Sequence, residues 1–502
     1  MPGTSPPAPV LVGGGQITDR PDDPTLGRDP LALMEEAARR AADDARAGRA
    51  LLEAVDTVVA VNVLCHNYGD AAGLLSERLG CGPARMLNTT VGGNTPQTVV
   101  NHVCAEIAAG RVGLALVAGA EAWKTSRALG QAGSPPSWPT RSLSAPLWGD
   151  GRNGMSELEL KHGIFFPAEV YPLFENAYRA ARGQTFAAHR TELAEMCGGF
   201  ARVARDNPHA WFRDGASGEA IATVTDDNRM IAFPYPKRMN AILDVNQGAA
   251  LLLASDEVAA RLGVSRGRWV YPWGGVDVTE QWFVQDRRDY HSMPAVERAA
   301  ALLLQATGVS LGDVRHLDLY SCFPIAPRLS AAMLGIPADD PRTLTVTGGL
   351  PWFGGPGNNY STHAIATMLD RLRSEPGSFG LVHALGWFLT KHGLGVYSSE
   401  PPPRGWRYAG SRELQAWVDA LPHPDIAVEP HGDATIETYT IVHGRDVRAA
   451  RGVVIGRAAD RRRFVARLPD DPGVLEAMER EEQVGRRGTV SSDARGSVFD
   501  PR

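Results

Sequence analysis

The sequence predicts an α/β protein built from two similar series of βα units, followed by a small all-β domain. Three observations predict it. Continuous apolar stretches such as "PVLVGGGQIT" and "VGLALVAGA" alternate with stretches whose apolar residues recur at helical spacing, such as "DPLALMEEAARRAADDARAG". That alternation is the pattern of a parallel sheet covered by helices. The series starts again near "NQGAALLLASDEVAARLG" and runs through "AVERAAALLLQATG" and "GSFGLVHALGWFLTKHGLGVYS". After "PPPRGW" at 401 the texture changes to "ATIETYTIVHG" and "RGVVIGRAADRRRFVARL", whose alternation reads as antiparallel strands.

In chain order, "PVLVGGGQIT" reads as a buried strand running into a Gly turn, and the Asp-Pro at 29–30 opens the first helix. "AVDTVVAVNVL" is a second strand. The stretch "NTTVGGNTPQTVVNHVCAEIAAGRVGLALVAGAEAWKT" gives a loop, a helix over 94–110 and a third strand. Residues 126–240 break this rhythm with Trp, Pro, Arg and Gly, and read as an insertion over one face with helical cores at "YPLFENAYRAAR" and "TELAEMCGGFARVARD". The expected division is residues 8–125 with 241–270 for the first half, 126–240 for a loop domain, 271–400 for the second half and 405–490 for the β domain. The last stretch, "RRGTVSSDARGSVFDPR", is expected to be loosely held.

A chain of 502 residues exceeds a single ordinary core, which stops growing near roughly 250–300 residues. The balance of 51 Lys+Arg against 57 Asp+Glu, with no long basic run, argues against a nucleic-acid partner. Five cysteines (Cys65, Cys81, Cys104, Cys197, Cys322) without CxxC spacing argue against a disulfide framework and a zinc site, which fits a reducing cytoplasm. No leader-like N-terminus and no run of about 18 apolar residues is found, so a soluble protein without a membrane span is expected. Phosphate, dinucleotide, zinc-protease and nucleophile-elbow motifs are absent.

The element order over roughly residues 8–400 resembles the thiolase superfamily. "VLVGGGQIT", "NTTVGGNTP", "DVNQGAALLLAS", "LDLYSCFP", "GGLPWFGGPGNN" and "HALGWFLTKHG" carry the likeness, and the last loops are most similar to sterol-carrier-type thiolases and to actinobacterial thiolase-like proteins with an extra C-terminal β domain. The resemblance implies two βαβ halves in five layers (αβαβα), an OB-like C-terminal domain and acyl-CoA as the substrate, with no cofactor beyond that coenzyme A. Thiolases commonly dimerise, so a homodimer is possible and a monomer equally open.

The thiolase reaction needs a Cys thiolate at a helix N-terminus. Matching Val-Cys-x-Ser-Gly onto Val91-Gly92-Gly93-Asn94-Thr95 puts Gly92 in that place, so acyl transfer through this position is impossible. The GHP histidine position holds Gly355, the HDCF-type loop reads Tyr320-Ser321-Cys322-Phe323, and the Cys-x-Gly loop keeps only His383 as a titratable group.

What remains for chemistry is Tyr320 and Cys322, two apart on an expected strand and so on one face, with Ser321 turned away. Cys322 serves as a thiol acid/base or a small buried hydrophobe, and Tyr320 as a base, a hydrogen-bond donor or a packed aromatic. Lys391 and His392 end a strand, where a cation would meet a CoA phosphate or an imidazole would reach the pocket. Gly92, Gly93, Gly354, Gly355 and Gly357 offer backbone N–H groups to a ligand or simply make tight turns. Asn94, Asn358 and Asn359 suit helix caps or a carbonyl oxygen, the cap being expected for at least one, and His363 reads as structural. Three functions follow: an acetyl-CoA acetyltransferase relative with altered chemistry, a retro-aldol C–C lyase on 3-hydroxyacyl-CoA using Tyr320 in the manner of related steroid side-chain aldolases, or a non-catalytic acyl-CoA or lipid binder.

Overall fold

The computed structural model describes residues 6–82, 84–446 and 448–501. Its first sheet has the strand order Pro9–Thr18, Asn246–Ser255, Leu114–Ala122, Thr57–Ala60, Arg85–Asn88. The first two pairings are antiparallel and the last two parallel. The second sheet runs Arg407–Tyr408, Tyr271–Thr279, Lys391–Ser398, Phe379–Gly386, Val314–Leu319. From Tyr271–Thr279 onward it repeats the senses of the first: antiparallel, antiparallel, parallel. The two series therefore share one topology.

Helices Thr95–Ala108 and Tyr360–Ser374 lie between the sheets and touch strands of both. Pro30–Asp44 covers the outer face of the first sheet, and Pro294–Thr307 with Ile325–Leu334 covers that of the second, giving five layers. Pro30–Asp44 forms because Pro30 sits at its first turn and Asp29 caps the Ala32 amide. It buries Leu31, Leu33 and Met34 at 0% exposure, a burial worth about 1.5–3 kcal/mol per side chain.

The glycines of "VGGGQ" are not a turn. They lie inside the strand, which continues to Thr18. A Cβ on Gly13 or Gly15 would fall 2.1 and 2.0 Å from the carbonyl oxygens of Ala41 and Ala37, so their missing side chains let the covering helix approach the sheet.

In the inserted region the two expected helical cores fall within Pro167–Ala181 and Phe186–Asp206. The same region adds strands Met230–Ala232 and Tyr235–Pro236 to the C-terminal sheet, against Gly432–His443. That sheet closes. Gly432–His443 pairs with both Ala449–Ala458 and Arg487–Asp493, while Arg463–Arg467 pairs with Ala449–Ala458 and, in parallel, with Gly496–Pro501. Arg487–Asp493 and Gly496–Pro501 form the last antiparallel pair. This is a five-stranded Greek-key barrel of OB type, with helix Pro472–Ala477 between its third and fourth strands.

The barrel thus differs from the expectation at both ends. Arg407–Tyr408 and helix Arg412–Asp419 pack on the second half instead, and the final stretch is not loose: Gly496–Pro501 completes the barrel, burying Phe499. Its polar composition hid a hairpin whose large apolar side chains are Val490, Val498 and Phe499. Among the described residues no helix is long and apolar enough to cross a membrane.

Candidate functional site

At the N-terminus of the central helix Thr95–Ala108, the loop Val91–Asn94 meets the hairpin that joins Phe379–Gly386 to Lys391–Ser398. A Cβ built on Gly92 would lie 2.4 Å from Asn94 Oδ1 and 2.9 Å from both Cε and Nζ of Lys391. The space a nucleophilic side chain would take is filled by a lysine amine. Lys391 is 4% exposed, and its Nζ donates to Val91 O at 2.6 Å and to Asp150 O at 3.4 Å. Burial pulls its pKa down to about 8, with Asp150 opposing and the Arg152 guanidinium adding to the shift.

Gly93 and Gly386 are equally crowded. A Cβ on Gly93 would fall 2.3 Å from the Tyr320 hydroxyl, and one on Gly386 would fall 2.4 Å from Asn94 Oδ1 and 3.2 Å from Gly92 Cα. Glycine at 93 and 386 therefore lets three backbones converge. The Gly92 amide does not face an empty site; it donates to Asn358 Oδ1 at 2.9 Å, and Asn358 Nδ2 is tied to Asn62 O at 3.0 Å. The hairpin itself holds Trp387 and Leu389 at φ 55° and 54°, a left-handed conformation that bulky side chains avoid and that gathers at functional sites.

A cavity of about 210 Å³ opens beside this junction, lined by Asn94, Thr98, Trp148, Asp150, Asp277, Lys391 and His392 among others. His392 Nε2 faces Leu389 O at 3.2 Å and its Nδ1 faces His383 Nε2 at 3.0 Å. Burial holds both imidazoles neutral, His383 falling to about 3. Asn94 Oδ1 is buried there without a hydrogen-bond partner among the described residues, while Asn94 Nδ2 donates to Thr98 Oγ1 at 3.2 Å.

The structure thus brings Gly92, Gly93, Asn94, Tyr320, Asn358, Lys391 and His392 together. Others it turns away. Gly354 packs on Gln247, and Gly355 on the 241–243 segment, its amide donating to Ile242 O at 2.8 Å. The strand Val314–Leu319 ends before Tyr320, so Tyr320-Ser321-Cys322 form a loop rather than a continued strand. Ser321 Oγ does turn aside, accepting the Leu350 amide at 3.4 Å. The Cys322 thiol lies against Tyr171 and is pushed up to about 12 by burial. Burial and Cys322 also hold the Tyr320 phenol well above its ordinary value. Both groups are therefore donors at neutral pH, not bases. Lys391 Nζ points to the backbone carbonyls of Val91 and Asp150. The three asparagines make no side-chain cap: Asn94 and Asn359 precede helices without one, because Asn359 spans from Gly119 O to Thr362 Oγ1 and Asn358 is taken by Gly92 and Asn62. His363 is buried in its helix against Gln16 Oε1 at 2.9 Å.

Sequence reasoning missed Trp148 and Asp150, which the inserted region delivers when the Thr90 amide binds Trp148 O at 2.9 Å. It also missed Asp277 and Gly386. "LWGDG" carries a signal in its Gly149, whose φ of 111° demands glycine.

Residues 413–495 match the family model described as the thiolase-like protein type 1 additional C-terminal domain. Over 100% of both chains, at 34% identity and a TM-score of 0.85, the protein is similar to a monomeric SCP2-thiolase like protein type 1 from Mycobacterium smegmatis. The Ltp2-ChsH2(DUF35) aldolase shares the fold at 18% identity and a TM-score of 0.60, over 79% of this chain and 99% of that one. Among curated proteins, the benzoylsuccinyl-CoA thiolase subunit BbsB of Thauera aromatica is 26% identical over 183 residues, 36% of this chain; the match spans 44% of that relative's length.

Proposed function

Since the chain belongs to the thiolase superfamily, among the type 1 SCP2-thiolase-like proteins with an additional C-terminal domain, we propose that it binds an acyl-CoA thioester and does not pass the acyl group through a residue at position 92. One observation carries this reading. The place of a nucleophilic side chain at Gly92 is occupied by the Lys391 amine and Asn94 Oδ1, beside a cavity of about 210 Å³. Covalent acyl-thioenzyme chemistry is removed, while an open pocket at a helix N-terminus is kept, where the dipole favours a carbonyl oxygen that gathers negative charge.

Calorimetric titration with acetyl-CoA and acetoacetyl-CoA tests binding, and peptide mass spectrometry after incubation with labelled acetyl-CoA tests the missing intermediate. Binding with no label in residues 86–111 is expected. Acyl exchange with free CoA, or no binding of any acyl-CoA tried, would refute the reading.

Retro-aldol cleavage of a 3-hydroxyacyl-CoA is the second reading, favoured by the Tyr320 hydroxyl standing against Gly93. A phenol held protonated suits the oxygen of a forming enolate better than it suits abstraction of the substrate's hydroxyl proton.

A further inference from the structure

We propose that the Lys391 amine is the nucleophile of this site and condenses with the C3 ketone of a 3-oxoacyl thioester to give an imine. The thioester half of that substrate rests on the reading above; the amine chemistry rests on the burial and contacts of Lys391 itself.

The chain has four lysines, Lys124, Lys161, Lys237 and Lys391. Three are on the surface or half-buried, and Lys391 alone is buried. Its Nζ has two acceptors, Val91 O and Asp150 O, and among the described residues it forms no salt bridge, although the Asp150 carboxylate is near enough to raise its pKa. A neutral amine carries two N–H donors and one lone pair, so the two carbonyls consume its donors and leave the lone pair. An ammonium would keep a third proton there. Burial disfavours that proton most, the Asp150 carboxylate opposes this effect, and the Arg152 guanidinium and the positive end of the helix Thr95–Ala108 directly beside Gly92 add to it, leaving the pKa lowered. Lys391 also lines the 210 Å³ cavity, so a carbonyl carbon can reach it.

The other nucleophilic side chains nearby are spent. His392 has both ring nitrogens engaged, and Cys322 is turned to Tyr171. Asn94 Oδ1 is the second observation. It is buried, unpartnered and 2.4 Å from the Cβ that Gly92 lacks, close to where an adduct on Nζ would place a hydroxyl. A carbinolamine O–H would supply the donor that this oxygen is missing.

The step balances without an oxidant. The nitrogen lone pair forms the N–C bond while the carbonyl π pair moves to oxygen, giving the carbinolamine. The two amine protons then leave with that oxygen as water, and the C=N bond remains. Once protonated, the imine is an electron sink for cleavage of a bond to the adjacent carbon.

The test uses the full chain and two probes. Pentane-2,4-dione condenses with a neutral amine and rearranges to a stable enaminone, and it needs no coenzyme A site. Acetoacetyl-CoA with cyanoborohydride traps the imine of the thioester substrate. Peptide mass spectrometry is expected to place both adducts on Lys391. At pH 7.5 its neutral fraction exceeds that of an ordinary lysine roughly two hundredfold, so labelling should outpace Lys124, Lys161 and Lys237. Lys391→Met, which keeps the length of the side chain, should abolish the adducts while far-ultraviolet circular dichroism stays unchanged. Diketone labelling confined to the surface lysines would overturn the proposal. Acetoacetyl-CoA that binds in the calorimeter but leaves no adduct on Lys391 would overturn it too, leaving the thioester reading standing. A diketone adduct without acetoacetyl-CoA binding would sink the thioester reading and the substrate class while leaving the amine as nucleophile.

Discussion

Asn358 Oδ1 accepts the Gly92 amide at 2.9 Å across 266 residues of sequence, and so locks the helix-entrance loop of the first half to the "GGPGNN" loop of the second. Asn358 is 4% exposed, and its Nδ2 is anchored on Asn62. Asn358→Ala is therefore expected to strand a buried N–H and cost about 1–3 kcal/mol, measured by urea denaturation. An unchanged midpoint would show that water replaces the carboxamide.

Gly92→Cys is expected to lose stability rather than regain thiolase activity. Its Cβ would meet Asn94 Oδ1 and the end of Lys391, and overpacking of this kind costs about 1–3 kcal/mol. Removing the lysine end should relieve it. In a double-mutant cycle, Gly92→Cys with Lys391→Ala is expected to show a coupling of about 0.5–3 kcal/mol, with the pair more stable than the sum of the singles. Additive losses would mean that Lys391 does not occupy that space in solution.

The layout of the two halves was legible because each βα unit carries its own period: continuous apolar strands and 3.6-residue helices, down to the buried faces of Thr95–Ala108. The barrel's last strand was not legible, since Gly496–Pro501 is held by its hairpin pairing with Arg487–Asp493 and by the Arg467–Val498 pairing with the third strand rather than by its own apolar content. At the site, Gly92 and its loops could be read from the motif, and so could the presence of Lys391. What Lys391 does could not. The direction of a long side chain is set by which backbones converge, here through Gly93 and Gly386, and local sequence does not carry that information.

The barrel is held to the body by a buried arginine. Arg463, on the third barrel strand and 0% exposed, pairs with Glu437 and donates to Gln285 O at 3.0 Å, Arg287 O and Arg288 O. Arg463→Ala would strand these carbonyls and part of the Glu437 charge, and is expected to cost about 3–5 kcal/mol. Limited proteolysis should then release a fragment spanning residues 432–501 before the body unfolds. Cleavage at the wild-type rate would place the docking energy elsewhere, for example in the Arg179–Glu482 pair.

Tyr320→Phe separates the readings of the site. The hydroxyl is held protonated beside Gly93, so on a lyase substrate its loss should lower kcat by roughly 10²–10³, the share of one oxyanion donor, with KM little changed. Acetoacetyl-CoA affinity, read by calorimetry, should change only modestly. Full turnover in this variant would remove the retro-aldol reading through Tyr320.

The last expectation is a pH dependence set by Lys391. Its folded-state pKa, about 8, lies below the ordinary lysine value near 10.4, so between those two values the unfolded chain binds more protons than the folded one. Stability contributed by this group therefore rises with pH from about 8 to 10.4, and below pH 8 the burial penalty is fully present and constant. A shift of this size corresponds to roughly 3 kcal/mol. Lys391→Met removes the dependence, so the difference between the urea stability curves of wild type and variant should slope upward across that window. Tyrosines that titrate in the same range cancel in the difference. A flat difference from pH 7 to 10.5 would mean that the amine stays charged in its pocket, and its lone pair would then be unavailable for any carbonyl at neutral pH.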